Sequence, residues 1–526
     1  MNPIQRFSRT VKGVVQWVGQ RPITEPAFPR LALDSWRAEL KQAPPVRRRV
    51  MMTAFRNRTW IEWAVYATCQ LRRLGVATTL VYSSSEVRRL YPLARVSGVD
   101  QLGFWAAVED IEDVRLVDLD DWRPTPAEAA PFRDFARSYA PTVAAYDLHV
   151  EENEEGPLER SYLREVARAE RMLAETAAAF TRMLGENPVA RLVCYSGLIG
   201  PSPAICEAAR GRDVEVLTVE GWAWRPGHMI CNLNAPALEY NLESWMRALG
   251  PWDTDREDVA ARLLRFQEGA ASESSGPDEL HRAQRSTTLA PLPPALAAFV
   301  ARPGPRFLMA TNVVGDSSML RRPSVFRNQR DWMRHTIERV RDRPGWNLIV
   351  RAHPDEAFIR QKVAVRMGDV ARELARGAPN VFVIGGDEDA SSYSLMPGLA
   401  GGLVWISSIG ADMAARGVPV VAAARPKYHE LGIVEEPATF DGYFESLERL
   451  ARSTPVVAPE TQARARAYLS LVFQDFSFFA FSPTYRARDL FLSGPGSPPD
   501  AELFYRIVAG DASPETPARS EARGVA

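Results

Sequence analysis

Twice along this chain, apolar runs short enough to be strands alternate with amphipathic stretches long enough to be helices, and that alternation most limits the folds open to it. The first series has a strand at Arg49–Phe55, a loop at Arg56–Thr59, a helix from Trp60 to Leu74 stopped by Gly75, and a strand at Val76–Tyr82. It resumes, after a long Ala-rich helical stretch at Leu158–Leu184, with a strand at Arg191–Tyr195, a helix near Pro203–Arg210 and a strand at Val214–Val219. The second series places strands at Phe307–Thr311, Trp346–Arg351, Val381–Ile384, Gly402–Ile406 and Val418–Ala423. Helices are expected between them at Arg330–Arg341, Glu356–Arg376, Ser394–Leu399 and Ile409–Arg416. Strand, helix, strand order favours parallel sheets with helices on their faces. The expected fold class is α/β, in two such halves.

A length of 526 residues exceeds what one ordinary core holds, by the prior of about 150 residues per domain. Residues 49–267 read as an N-terminal domain and 301–459 as a C-terminal one. At Glu268–Pro294 Gly, Ser, Pro and charge replace periodic apolar residues, so 268–300 is expected to be the linker. Glu460–Phe473 is helical by its spacing, and 460–509 is expected to supply helices that cross back to the first domain. The tail 510–526, rich in Pro, Ser, Ala, Glu and Arg, reads as disordered.

Composition works by exclusion. Hydrophobic residues at 46% and charged residues at 25% are globular values, against a disordered or membrane-embedded chain. With 64 basic and 65 acidic residues the net charge is −1, so the basic footprint of a nucleic-acid binder is absent and no such partner is expected. Locally the balance differs: the first 58 residues carry 12 Lys or Arg against three acids, and residues 1–48 read as a basic arm. Within it, Ile4, Phe7, Val11, Val14, Val15 and Val18 have helical spacing, which suits either peripheral contact with an anionic membrane surface or packing on the chain's own domain. Cys69, Cys194, Cys206 and Cys231 show no Cys-x-x-Cys pair and no zinc-like spacing, so reduced thiols and no bound metal are expected. No run of about 18 apolar residues and no signal-peptide core occurs, so the expected location is cytoplasmic, with the arm able to reach the inner face of the membrane.

The strongest local signal is Arg351-Ala352-His353-Pro354, directly after one strand and before a helix. Ligands of open α/β sheets bind beyond the carboxyl ends of strands, where an Arg fork and a His can hold a phosphate. His353 could equally cap the next helix. A second strand-to-helix turn, Trp405-Ile406-Ser407-Ser408-Ile409-Gly410, offers two hydroxyls and unsatisfied backbone N–H groups to an anion, or simply a Ser N-cap. If both strands lie in one parallel sheet, both turns open on the same edge and can grip one phosphate group. Asp387-Glu388-Asp389 precedes Ser391-Ser392-Tyr393 at another strand exit, and reads as a sugar-hydroxyl contact or a solvated acidic loop. Lys427 and Tyr428, after Gly417-Val418-Pro419, can meet phosphate or base. No Gly-x-x-x-x-Gly-Lys-[Ser/Thr], Gly-x-Ser-x-Gly or His-Glu-x-x-His pattern occurs, against P-loop enzymes, α/β-hydrolases and zincins.

Over Phe307 to Gly432 the chain resembles the bacterial capsule polysaccharide biosynthesis glycosyltransferases of GT-B architecture. The residues that carry the resemblance are Thr311-Asn312-Val313-Val314-Gly315-Asp316, Arg351 to Glu356, Ser391-Ser392-Tyr393, Trp405 to Gly410 and Gly417-Val418-Pro419. It implies two Rossmann-like domains facing a cleft, the C-terminal one holding a nucleotide-sugar donor and the N-terminal one a glycan or glycolipid acceptor. It also implies that His353, Ser407 and Ser408 hold the donor phosphate, with no metal and no cofactor besides the nucleotide-sugar co-substrate. Asp412 stands where relatives often carry Glu.

Sugar transfer with inversion needs a base for the acceptor hydroxyl. Glu220, in Val219-Glu220-Gly221-Trp222-Ala223-Trp224, is one candidate, as base or as a retaining enzyme's stabiliser, and is otherwise a loop acid beside packed aromatics. Asp316 is a second, as base or ribose contact, and His228 a third. Ser196 and Gly197 look placed to let substrate approach the backbone, and Trp222 and Trp224 to stack on a sugar or fill a core. Competing functions are a CDP-glycerol-type glycerophosphotransferase, a nucleotide-sugar epimerase, and a non-catalytic donor-binding or scaffold subunit of a polysaccharide assembly complex.

Overall fold

A computed structural model describes residues 36–54, 58–85, 108–221, 228–239, 242, 260–261, 292–358, 365–388, 390–453, 456–472, 478–479 and 499–514. The expected helix over residues 4–18, most of the expected linker, Trp222, Trp224, Asp389 and the tail beyond 514 lie outside them. Two compact units form, one within Met1–Asp121 and Thr484–Ala509, the other within Trp122–Pro483 and Gly510–Ala526.

The first unit carries three parallel strands, β1 (Arg48–Thr53), β2 (Val76–Tyr82) and β3 (Val114–Asp118), with Arg48 opposite Val76 and Thr78 opposite Val114. The Arg58–Arg73 helix links β1 to β2 in the anticipated strand, helix, strand unit. Its aromatic face takes the Pro499–Ala509 helix: Trp63 meets Phe504 at 6.1 Å and Tyr66 meets Tyr505 at 6.2 Å between ring centroids. The β3 strand escaped the sequence reading because its burial is partial and broken by Arg115.

In the second unit, β4 (Arg191–Tyr195) runs parallel to β5 (Glu215–Gly221), and β6 (His228–Leu233) returns antiparallel to β5. Helices Arg133–Leu148 and Glu159–Glu186 pack on each other through alanines, among them Ala136, Ala140, Ala169 and Ala177, whose small side chains let the two helices approach closely.

A separate five-stranded sheet has the order β11-β10-β7-β8-β9, formed by β7 (Arg306–Ala310), β8 (Asn347–Arg351), β9 (Val381–Ile384), β10 (Gly401–Val404) and β11 (Val420–Ala422). All its pairings are parallel. Phe307, Met309, Leu348, Val350 and Leu403 feed one core cluster, while Leu308, Ala310, Ile349 and Val404 feed another. That two-residue alternation buries both faces, and this is why these strands read as continuous apolar runs. The fold is α/β with parallel sheets.

Two expected helices differ, and a further helix was not expected. The helix expected across Glu356–Arg376 is not continuous: helices occupy Asp355–Phe358 and Met367–Leu374, and Arg366 between them is extended at φ −97°, ψ 131°. The buried Glu356 carboxylate accepts from Met367 N at 2.9 Å and Gly368 N at 3.2 Å, so a side chain from outside starts the second helix. Periodicity cannot show such a cap. Ser394–Leu399, expected as a helix, holds only the end of a 3₁₀ turn at Tyr393–Leu395. The unanticipated Phe440–Arg452 helix buries Tyr443, Phe444, Leu447 and Leu450, with Thr439 accepting from Gly442 N at its start.

Candidate functional site

The five-stranded sheet reverses its direction of growth between β7 and β10: the chain lays β8 and β9 on one side of β7, then β10 and β11 on the other. Open α/β sheets leave a crevice at such a switch point, outside the carboxyl ends of the strands. There a cavity of about 370 Å³ opens, a size suited to a small ligand. Its wall includes Thr311 and Asn312 after β7, Arg351 to Asp355 at the end of β8, and Ile406 to Ile409 after β10. Ten of the residues singled out from sequence line it: Glu220, Asp316, Arg351, His353, Ser391, Ser392, Ser407, Ser408, Lys427 and Tyr428.

His353 follows β8 and is partly exposed, at 28% of its side chain. Its Nδ1 accepts from Asp355 N at 3.2 Å, which leaves the ring proton of the neutral imidazole on Nε2. Burial pushes the His353 pKa down, against the carboxylates of Asp355 and Asp316, and the Arg351 charge adds to the lowering. The site therefore holds a neutral His able to donate one hydrogen bond. Arg351 is buried and gives Nη1 to the Gly385 carbonyl. Part of its expected phosphate fork thus ties the β8 exit to the β9 exit.

Ser408 is the N-cap residue of the Ile409–Ala415 helix, yet its side chain makes no capping hydrogen bond. Its backbone is helical there (φ −58°, ψ −23°), which turns the hydroxyl away from the N–H groups an extended cap residue would serve. The turn is fixed from two other directions. Ile406 N donates to Asn312 Oδ1 at 3.3 Å, and the Tyr428 hydroxyl donates to the Ser407 carbonyl at 2.6 Å. Asn312 is itself clamped by buried Gln329, whose Oε1 accepts from Asn312 N at 2.6 Å and whose Nε2 donates to Asn312 O at 3.1 Å. Ser391 Oγ accepts from Tyr393 N at 3.2 Å, so the Ser391-Ser392 turn is partly self-satisfied.

Across the cavity, Glu220 sits near the end of β5 and is buried. Its Oε1 accepts from Ser317 Oγ at 2.6 Å, while Oε2 is buried without a hydrogen-bond partner in the geometry. Burial pushes the Glu220 pKa up, Ser317, Ser196 and the Lys427 charge hold it down, and Asp316 adds to the rise. Burial and the Arg322 charge push Lys427 down to about 8, opposed by Asp316 and Glu220. A buried carboxylate with one unsatisfied oxygen is a group shaped for a missing proton donor. Asp316 is exposed, and its Oδ1 accepts from Ser318 N at 2.7 Å, capping the 3₁₀ turn Ser317–Met319.

The sequence reading gave no site role to Ser317, Gln329, Thr311 or Tyr468. Thr311 and Tyr468 line the cavity, and the Thr311 hydroxyl is buried with no partner. Only position relative to the β7 exit could have flagged Thr311, and nothing in the residue types marks the other three. His228 lies on β6, outside the cavity wall. Gly197 is left-handed at φ 84°, and a Cβ there would meet Thr218 Cγ2 at 3.0 Å, so its glycine serves local packing. Asp387 and Glu388 line a different hollow with Arg366 and Arg372. Among the described residues no group of three or more His, Cys, Asp or Glu could hold a metal ion, and no helix is long and apolar enough to cross a membrane.

No family model matches this chain, and no curated protein matches it. Among solved structures it is similar to the Thermosulfurimonas dismutans KpsC beta Kdo 2,7 transferase, at 11% identity and a TM-score of 0.33, over 60% of this chain and 89% of that one. It is also similar to the UDP-GlcNAc 2-epimerase from Neisseria meningitidis bound to UDP-GlcNAc, at 11% identity and a TM-score of 0.23, over 81% of this chain and 99% of that one. A third is the Streptomyces sp. SF2575 glycosyltransferase SsfS6, at 11% identity and a TM-score of 0.23, over 88% of this chain and 100% of that one. The α/β class of this chain rests on its own strand order.

Proposed function

We propose that this chain is a GT-B-type glycosyltransferase that moves a sugar from a nucleotide-activated donor to a surface polysaccharide or glycolipid acceptor. The observation that carries the reading is the meeting of His353, Ser407, Ser408, Ser391, Ser392 and Lys427 with a buried carboxylate, Glu220, around one cavity. The first group supplies hydrogen-bond donors and positive charge where a nucleotide phosphate would leave. Such groups stabilise developing charge without reorganising at the moment of reaction.

In the proposed step the acceptor oxygen bonds to the anomeric carbon as the bond from that carbon to the phosphate oxygen breaks. The acceptor proton passes to Glu220 Oε2, and the electron pair leaves with the phosphate, met by His353 Nε2–H, the serine hydroxyls and the Lys427 ammonium. In this reading the clamp takes the place that a divalent metal holds in other transferases, and chelation leaves activity intact. The basic arm at residues 1–48 would bring the enzyme to an anionic membrane surface facing the cytoplasm.

The test is a panel of nucleoside mono- and diphosphates screened for thermal stabilisation, followed by mass spectrometry of the matching nucleotide sugars with and without glycan acceptors. Transfer, lost in His353→Ala with the melting curve kept, is expected. Epimerised donor, a phosphate-bearing product, or binding without turnover would each overturn the reading.

A further inference from the structure

We infer that Ser317 is a positioning residue for Glu220: its hydroxyl, presented by the turn that Asp316 caps, occupies Oε1 and leaves Oε2 as the oxygen open to a substrate proton. The inference rests on the proposed role of Glu220 as base. Three features aim Ser317. Asp316 Oδ1 takes Ser318 N at 2.7 Å, and Arg322 Nε donates to the Ser318 carbonyl at 2.8 Å, so both polar groups of the Ser318 backbone, next to Ser317, are held. Gly315 precedes it at φ 85°, and a Cβ there would stand 2.7 Å from His149 Nδ1 and 2.8 Å from His149 Cα, so only glycine admits this path. The Ser317–Glu220 bond, at 2.6 Å, then joins the loop after β7 to the end of β5.

A carboxylate side chain rotates freely about its last bond unless one oxygen is held. With Oε1 held by Ser317, the second oxygen has one orientation. The groups facing the carboxylate are Ser317 and Asp316 from the loop after β7, Ser196 from the β4 exit, and Lys427 from the loop after β11. Burial raises the Glu220 pKa, and of the groups that oppose this rise the Ser317 hydrogen bond is the largest. A base must be ionised to act, so Ser317 serves Glu220 twice, by orientation and by charge.

The expected consequences separate positioning from simple structure. A carboxyl whose folded pKa lies above its unfolded value contributes fully to stability at low pH and loses that contribution as pH rises through the folded pKa. Ser317→Ala lifts the folded pKa further. Its loss of melting temperature should therefore be larger at about pH 8 than at about pH 5, and this pH dependence should vanish in a Glu220→Gln background. In turnover, Ser317→Ala should lower kcat about tenfold with donor KM unchanged, move the acid limb of the kcat/KM profile to higher pH, and be rescued by Ser317→Thr. A melting loss equal at both pH values overturns the inference whatever the chain catalyses. A pH-dependent loss in a chain that turns over no nucleotide sugar overturns the transferase reading and keeps the Ser317–Glu220 coupling.

Discussion

The Tyr428 hydroxyl donates to the Ser407 carbonyl at 2.6 Å, tying the loop after β11 to the turn after β10. Gly410 makes the contact possible, since a Cβ at that position would stand 2.2 Å from the same phenolic oxygen. Tyr428 is 1% exposed and packs on Tyr468 at 5.2 Å between centroids, so its ring cannot swing aside.

Tyr428→Phe should therefore cost about 1 kcal/mol in urea unfolding and weaken nucleotide binding several-fold. Gly410→Ala should cost more, through overlap with that hydroxyl. In the double variant, with the oxygen gone, part of the Gly410→Ala loss should return. Additive losses would mean that the two residues do not share this contact.

His353 is held as a neutral ring with its proton on Nε2, and its pKa is pushed down by burial. Nucleotide affinity measured by calorimetry should stay level as pH falls through the ordinary histidine range near 6.5 and strengthen only below it. His353→Ala should reduce affinity at every pH. A step in wild-type affinity at or above pH 6.5 that His353→Ala removes would contradict a lowered pKa.

Lys427 is pushed down to about 8. Its charge is present below that value and lost above it, so the affinity for an anionic nucleotide should fall as pH rises through this region. Lys427→Arg, charged throughout, should remove the fall, and Lys427→Met should give weak binding with no such step. An unchanged pH profile in Lys427→Arg would place the titrating group elsewhere.

Away from the cavity, Arg330 bridges two buried carboxylates, Glu154 at 2.9 Å and Glu151 at 3.4 Å, whose side chains are 1% and 4% exposed. Burial pushes Glu151 up to about 7, against the charge of Arg330. The raised carboxyl gives its full stability below its unfolded pKa of about 4.5 and loses it as pH rises through 7. Arg330→Ala should cost about 3–5 kcal/mol at pH values above 7, because it leaves both carboxylates buried without their cation. The cost should shrink when Glu151 is protonated. Equal Tm losses on both sides of that pH would show that Glu151 does not titrate there.

Much of the candidate site was legible because its residues follow parallel strands directly. The apolar runs at Phe307–Ala310, Asn347–Arg351 and Gly401–Val404 mark the strands, and a parallel sheet sends every strand exit to one edge. His353 and Ser407 thus had to open on the same side once the strands shared a sheet. Where hydrogen bonds cross between distant segments, periodicity carried no trace. The Glu356 carboxylate that starts a helix at Met367, and the Gln329 amide that clamps Asn312, are of this kind.

By itself the sequence determined the five strands of the β7–β11 sheet, favoured their parallel run, and marked which polar residues stand at their ends, since these follow from local side-chain spacing and chain order. The tertiary structure alone decided which of those residues share a hydrogen bond. Ser317 lies 97 residues from Glu220, and Tyr428 lies 21 from Ser407. Direction at a strand exit is a local property of the backbone, whereas a contact of this kind depends on how whole elements pack, and that depends on every side chain between them.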